Sequence, residues 1–420
     1  MAAGLTAVMM MASPELLHAG STSTLQPGQD QASDETLQKR YQDLLTYMTS
    51  RGGIGKDQIK QITDLRNDVD AHLKTNPDDA IAIAIELQLS AWLGDTDRVE
   101  EAFSKLARLQ PDNARVTIGW AQYLRQEGDV RKSSMILEEA SLDPAMHPDA
   151  AMLEAENRLA ENQFQSALDK IALIPSEKRA DPAIASRWSR LQNKANAFAT
   201  NWVKEQEWRS EEAQADDLPR VLVTTSRGPF TLELFENQAP TTVGHFVSLV
   251  EEDAYDQTLF RMPPNAAFNR SIAANMIFGG DPNTHPDASG RPGDGSVGYR
   301  IPDENLRDDS RKNFAGVIGV VKRPLPNAPG MTSPNSGGAE FYLTRMPMET
   351  LDTEHTVFGR VIDGMIVVRN LAPDDTIVSM EVIRKRDHEY AASKLPEIPE
   401  LAPPAVEEES AETSEEQATP

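Results

Sequence analysis

Apolar residues recur every three to four positions from Leu37 onward. Leu37, Tyr41, Leu44, Leu45 and Met48 fall on one helix face, and Gly52-Gly53 ends it. A second stripe, Ile59, Ile62, Leu65, Val69 and Leu73, predicts another helix from about Asp57. Beyond it the pattern repeats. Pro77-Asp78, Pro111-Asp112, Pro148-Asp149 and Asp181-Pro182 each open a helical stretch, with prolines 34, 37 and 34 residues apart. Gly94-Asp95 and Gly128-Asp129 fall mid-unit, where two antiparallel helices need a turn. At Val221 the period changes from 3.6 to 2. Val221, Val223 and Thr225 alternate, Gly228-Pro229 marks a turn, and Phe230, Leu232 and Leu234 alternate again, which predicts a hairpin. Pro240 starts a helix with Val243, Phe246, Val247 and Val250 on its core side. Strands are expected over 276–279, 316–321, 341–345, 356–362 and 376–386, with a short helix around 365–371. The expected fold is multi-domain: an all-α helical repeat domain followed by a mainly-β closed barrel with two helices.

Composition sets the boundaries. Residues 1–35 read as a signal-like or disordered segment, 36–200 as the helical repeats, 201–217 as a linker, 218–388 as the barrel and 389–420 as a disordered acidic tail rich in Pro and Glu. The charged run EQEWRSEEAQADD, residues 205–217, reads as a helix running into the linker, and protease cleavage is predicted near 213–219. The first thirteen residues are small and apolar, yet no Lys or Arg precedes Lys39, so a secretory signal lacks its basic start. Export to the periplasm or medium follows if this is an incomplete signal peptide, and a cytoplasmic location if it is not. The apolar stretch is too short to span a bilayer, and no stable membrane insertion is expected.

Charge narrows the function classes. With 41 Lys+Arg against 66 Asp+Glu the formal net charge is −25, which disfavours nucleic-acid backbones and anionic membranes as partners. Residues 391–420 carry eight Glu against the single Lys394. The absence of cysteine removes disulfides, thiol catalysis and thiolate-bound zinc. Asp281 with His285 supplies only two ligands, so no metal is expected. Arg384-Lys385-Arg386 reads as a solvated basic face at a strand end.

The helical units, about 34 residues long with Pro-Asp at their junctions, resemble the tetratricopeptide repeat. That resemblance implies a protein partner, unknown in identity, bound on stacked helices. The first helix of the units, from Ala80 to Ala91, has no Lys, Arg or Asn, which disfavours the clamp for a terminal carboxylate found in part of that family.

Four segments of the second half carry a further resemblance: Ala239-Pro240-Thr241-Thr242-Val243-Gly244-His245-Phe246, Tyr255-Asp256-Gln257-Thr258-Leu259-Phe260, Met276-Ile277-Phe278-Gly279-Gly280-Asp281-Pro282, and His355-Thr356-Val357-Phe358-Gly359-Arg360-Val361 with Gly364-Met365. In this order they resemble the cyclophilin-type peptidyl-prolyl isomerases. The resemblance implies isomerisation of X-Pro bonds in polypeptides, with the repeats recruiting partners and with no cofactor. Amide resonance sets a barrier of about 18–20 kcal/mol to rotation. Lowering it takes a pocket for the proline ring and a donor to the proline nitrogen that strengthens in the twisted state. In the family a guanidinium is that donor. Spacing from Gly279 selects Arg270, in Phe268-Asn269-Arg270, over Arg261, which an insertion over 261–268 displaces. The matched substrate-binding positions are Asn275, Met276, Phe278, Glu340, Tyr342, Leu351 and His355.

Several of these depart from the family's pattern. Asn275 replaces a floor phenylalanine, Phe278 a glutamine that steadies the arginine, and Glu340-Phe341-Tyr342 a Gln-Phe-Phe. Val321-Lys322 stands for Ala-Asn, and Thr350 for a tryptophan at the pocket edge. Glu340 is expected to pair with the arginine, orienting it while competing for its donors. The alternative function is therefore a catalytically weakened module that binds proline peptides, or a scaffold.

Overall fold

The computed structural model describes residues 30–51, 56–263, 275–325 and 331–397. The signal-like start up to residue 29, most of the 261–268 insertion, Arg270 and the tail from residue 398 lie outside these residues.

Ten helices precede the sheet: α1 (Asp30–Arg51), α2 (Lys56–Thr75), α3 (Ala80–Leu93), α4 (Thr96–Leu109), α5 (Ala114–Gln126), α6 (Val130–Ala140), α7 (Pro148–Ala160), α8 (Phe164–Ala172), α9 (Ser176–Arg179) and α10 (Pro182–Ala215), counted among the described residues. Helix α1 begins earlier than the expected boundary at 36. The junction residues act as caps. Asp79 accepts from the N–H groups of Ile81 and Ala82, at 2.9 and 3.2 Å, and Asp129 from Lys132 at 2.9 Å. Gly128 closes α5 at φ +78°, a left-handed conformation that L residues avoid, so Gly-Asp is a two-residue turn in which the glycine ends one helix and the aspartate starts the next.

Each helix pair buries its apolar face on the next. Leu44, Leu65 and Trp92 share one core, Phe103, Val116 and Tyr123 a second, and Ala121, Leu137 and Leu153 a third. The last core crosses into the β half: Phe164 and Phe198 pack with Phe235, Phe314, Val317 and Val357.

The β half is one antiparallel sheet, β1 (Arg220–Thr225), β2 (Gly228–Leu234), β3 (Met276–Gly279), β4 (Val317–Val320), β5 (Phe341–Thr344), β6 (Val357–Asp363) and β7 (Ile377–Arg384), in the order β3-β5-β4-β6-β2-β1-β7. Single bridges, Leu259 to Thr376 and Arg261 to Phe278, join the two edges and close the curled sheet. Helices α11 (Pro240–Glu251) and α12 (Met365–Asn370) accompany it. Val223, Leu232, Phe246, Phe341 and Phe358 fill the interior.

Three expectations are corrected here. The charged run 205–217 is not a linker: α10 continues to Ala215, and Glu205 and Glu212 are buried. Arg311, fully buried, binds both, its Nη1 lying 2.8 Å from Glu205. Arg360 spans Glu212 and Glu233, at 2.9 and 2.6 Å. Composition misread the segment because buried carboxylates look like solvated ones until their arginines, a hundred residues downstream, are placed. The basic run 384–386 is likewise not merely a solvated face. Arg384 Nε donates to the Leu218 carbonyl at 2.6 Å, and Arg386 pairs with Asp217 at 2.9 Å, pinning the helix exit. The tail does not begin at 389, because Tyr390 joins the β core and donates to Glu236 at 2.7 Å.

Further contacts seal the junction. Asn162 exchanges two hydrogen bonds with the Ala315 backbone, at 2.9 and 2.8 Å. Limited proteolysis of the native chain is therefore expected to spare 201–219. Early release of a helical fragment cut in that stretch would contradict the shared core.

Candidate active site

The pocket grows from the pleat of β3 and β5. Met276 and Phe278 point to one face of β3, and Phe278 lies in register with Tyr342 of β5. With Met348 they form a small apolar cluster, flanked by Val321 and Leu351. Tyr342 lies over β4 at Gly319, where an added Cβ would come within 2.3 Å of its ring, so only glycine admits it. Its hydroxyl donates to Asn313 Oδ1 at 2.6 Å, and Asn313 accepts from the Met348 N–H at 2.8 Å. Asn313 N–H donates to Asp352 at 2.7 Å, so one asparagine ties the floor to the wall loop. His355 meets Tyr342 edge-on, with ring centroids 5.5 Å apart. Burial lowers the His355 pKa, and Nδ1 lies 2.9 Å from the Val320 carbonyl; the neutral ring donates there.

At the cluster's edge stands a guanidinium. Arg261 pairs antiparallel with Phe278, through N–H···O bonds of 2.9 and 3.0 Å, so the two side chains share a face. The guanidinium lies 5.2 Å from the Phe278 ring centre and ion-pairs with Glu340, Nε to Oε1 2.7 Å, with Asp281 behind at 3.7 Å. Burial raises the Glu340 carboxyl to about 7, opposed by the charge of Arg261.

Residues 220–386 match the family described as cyclophilin type peptidyl-prolyl cis-trans isomerase/CLD. The peptidyl-prolyl cis-trans isomerase-like 1 of Neurospora crassa is 34% identical over 180 residues, 40% of this chain and 97% of that relative. The chain belongs to the cyclophilin-type peptidyl-prolyl isomerase family. A peptidyl-prolyl cis-trans isomerase of Arabidopsis thaliana is 31% identical over 158 residues, 38% of this chain and 83% of that protein. A solved cyclophilin-type isomerase of Cryptosporidium parvum aligns at 21% identity and TM-score 0.32, over 40% of this chain and 99% of that one. The family match leaves residues 1–219 outside it.

Within the cyclophilin-type domain, Met276, Phe278, Tyr342 and Leu351 come together and His355 supports them. Asn275 is half-buried just ahead of β3, its carbonyl accepting from the Arg345 N–H at 2.7 Å. Glu340 has an arginine partner, as expected, but the partner is Arg261; Arg270 lies outside the described residues. Lys322 is tied down, its Nζ 2.7 Å from Asp303 and 3.0 Å from the Glu354 carbonyl. Thr350 is exposed.

Sequence reasoning missed Met348, Asn313 and the place of Arg261. A signal for the last was present in the alternation of the strand. Phe260 is fully buried inside the sheet, so the next residue must face the other way, onto the pocket.

Proposed function

We propose that the cyclophilin-type domain binds X-Pro segments of polypeptides and isomerises them, and that the helical pairs, which resemble tetratricopeptide repeats, recruit the polypeptide. The observation that carries this reading is a guanidinium held beside an apolar pocket: Arg261 over Phe278, next to Met276, Tyr342 and Met348. The apolar groups suit a proline ring, and the guanidinium suits the proline nitrogen as it pyramidalises. Arg270 is the competing donor on motif spacing, and Asn275, Glu340, Leu351 and His355 complete the proposed binding surface. A coupled assay of the full chain on a succinyl-Ala-Ala-Pro-Phe anilide tests the reading. Catalysed cis-to-trans conversion is expected, and a rate equal to the uncatalysed one would overturn it in favour of peptide binding alone. That second reading draws on the Glu340 carboxylate, which engages the very donors that catalysis needs.

The same pair predicts a pH profile. Arg261, Asp281 and Arg323 are the charged groups that act on Glu340. Below about 7 its carboxyl is neutral and holds Arg261 weakly; above about 7 it is anionic and competes with substrate. Turnover is therefore expected to fall as pH rises from 6 to 8. Glu340→Gln should raise the rate at pH 8 and flatten the profile. A flat profile in the unmodified chain would remove Glu340 from the mechanism.

A further inference from the structure

The chain leaves β7 and returns to the mouth of its own pocket. After Tyr390, the Ala391 backbone passes against Gly244 of α11, so closely that a Cβ at 244 would lie 2.8 Å from the Ala391 carbonyl oxygen. Lys394 Nζ sits 4.3 Å from the Tyr299 ring centre. Leu395 then pairs with Arg300 as an added strand would, through N–H···O bonds of 2.9 and 2.8 Å, and Arg300 Nε donates to the Pro396 carbonyl at 2.8 Å. Glu397 is hydrogen-bonded to Ser296. It lines a cleft together with Arg261, Arg300, Val321, Arg323 and Glu340. Arg261, Val321 and Glu340 belong equally to the apolar site described above.

The sequence after this anchor has the chemistry of a ligand for such a cleft. Pro396-Glu397 is followed by Ile398-Pro399-Glu400-Leu401-Ala402-Pro403-Pro404, three further X-Pro steps within seven residues of Glu397. Its charge is complementary. Three arginines border the cleft, and Arg323, exposed, makes no ion pair among the described residues. Glu397 lies in the cleft, and in the sequence it is followed by Glu400, Glu407, Glu408 and Glu409.

We propose that this cleft has a resident ligand in its own chain: the acidic prolyl segment that begins at Leu395, docked through Leu395–Glu397 by strand addition at Arg300, which external prolyl polypeptides must displace. Extended polypeptides with acidic residues beside proline are the class of competitor that the arginine rim favours. The proposal rests on the reading of the Arg261 cleft as a prolyl-peptide site, but it concerns binding and does not require turnover. Because the tether is a few residues long, the segment is present at an effective concentration on the order of mM. Against an intrinsic Kd of about 0.1 mM, that lowers the apparent affinity for outside peptides by about 10-fold.

The test measures binding and turnover separately. A fluorescent peptide with the sequence of residues 393–404 is titrated, by anisotropy, into the full chain and into a chain ending at Lys394. A full-length Pro396→Ala/Glu397→Lys/Pro399→Ala variant, which keeps the packing through Leu395, guards against misfolding of the shortened chain. The expected result is about 10-fold tighter binding to both altered chains than to the full chain, lost in high salt. Equal affinity for all three, or no binding to either altered chain, would overturn the proposal. Turnover of the anilide peptide is followed in parallel. Turnover without binding of the tail peptide would sink tail docking and leave the isomerase reading standing. Binding without turnover would sink the isomerase reading and support the docking.

Discussion

Arg261→Ala is expected to lower kcat/KM for prolyl peptides by about 10- to 1,000-fold, the range for deleting one donor that acts chiefly in the transition state. The guanidinium borders the pocket and is anchored by Glu340, so its place is set before substrate arrives. Folding should tolerate the change, since the backbone bridge to Phe278 uses main-chain groups alone. The same substitution leaves Glu340 buried without its partner. The double variant Arg261→Ala/Glu340→Gln therefore separates lost catalysis from an unpaired carboxylate: it should regain thermal stability and stay slow. Arg270→Ala is the matched control. If that variant is slow and Arg261→Ala turns over normally, the donor comes from the 264–274 segment and Arg261 serves only to hold Glu340.

Arg311→Met is expected to destabilise the whole protein by about 3–5 kcal/mol, the scale for removing one member of a buried ion pair. The side chain is wholly buried, contacts Glu205 and Glu212, and stacks on Phe235 with its guanidinium 4.1 Å from the ring centre. Methionine roughly fills the space but leaves Glu205 with Arg209 alone and Glu212 with Arg360 alone, one cation short for two buried carboxylates. Adding Glu205→Gln and Glu212→Gln should recover part of the loss. Helical and aromatic circular dichroism should fall together in urea, because Phe164, Phe198 and Trp202 pack on Phe314 across the junction. Two separate transitions would show that the halves fold alone.

The period of the apolar pattern was enough to read the elements. The Pro-Asp and Gly-Asp punctuation marks helix ends because aspartate caps and glycine adopts the left-handed turn, both local effects. Alternation located β1 and β2, whereas β3, β4 and β5 are short runs buried on both faces, legible only as apolar segments. What failed was everything set by distant partners. Glu205 and Glu212 look solvated until Arg311 covers them, and Tyr390 looks like tail until it meets Glu236. At the site, the motif picked out Met276, Phe278 and Tyr342, whose places follow from strand pairing, and Leu351, which lies in the turn Glu349–Leu351. The arginine was harder. Motif spacing selects Arg270, outside the described residues, whereas the face on which Arg261 lies is fixed by its neighbour Phe260.

The serial sharing of cores, from Trp92 through Phe103 to Phe164 and on to Phe314, turns the helices into a ruler fixed to the cleft. Helix layers pack about 8–10 Å apart, so the outermost pair stands on the order of 40 Å from the pocket. An extended chain advances about 3.3 Å per residue. If the helices recruit the polypeptide as proposed, one gripped at α1–α2 offers a proline to the cleft only when about a dozen residues separate grip from proline. Clients would be sorted by spacing as well as by sequence, and shortening the gap in a designed client should abolish any advantage the helices give.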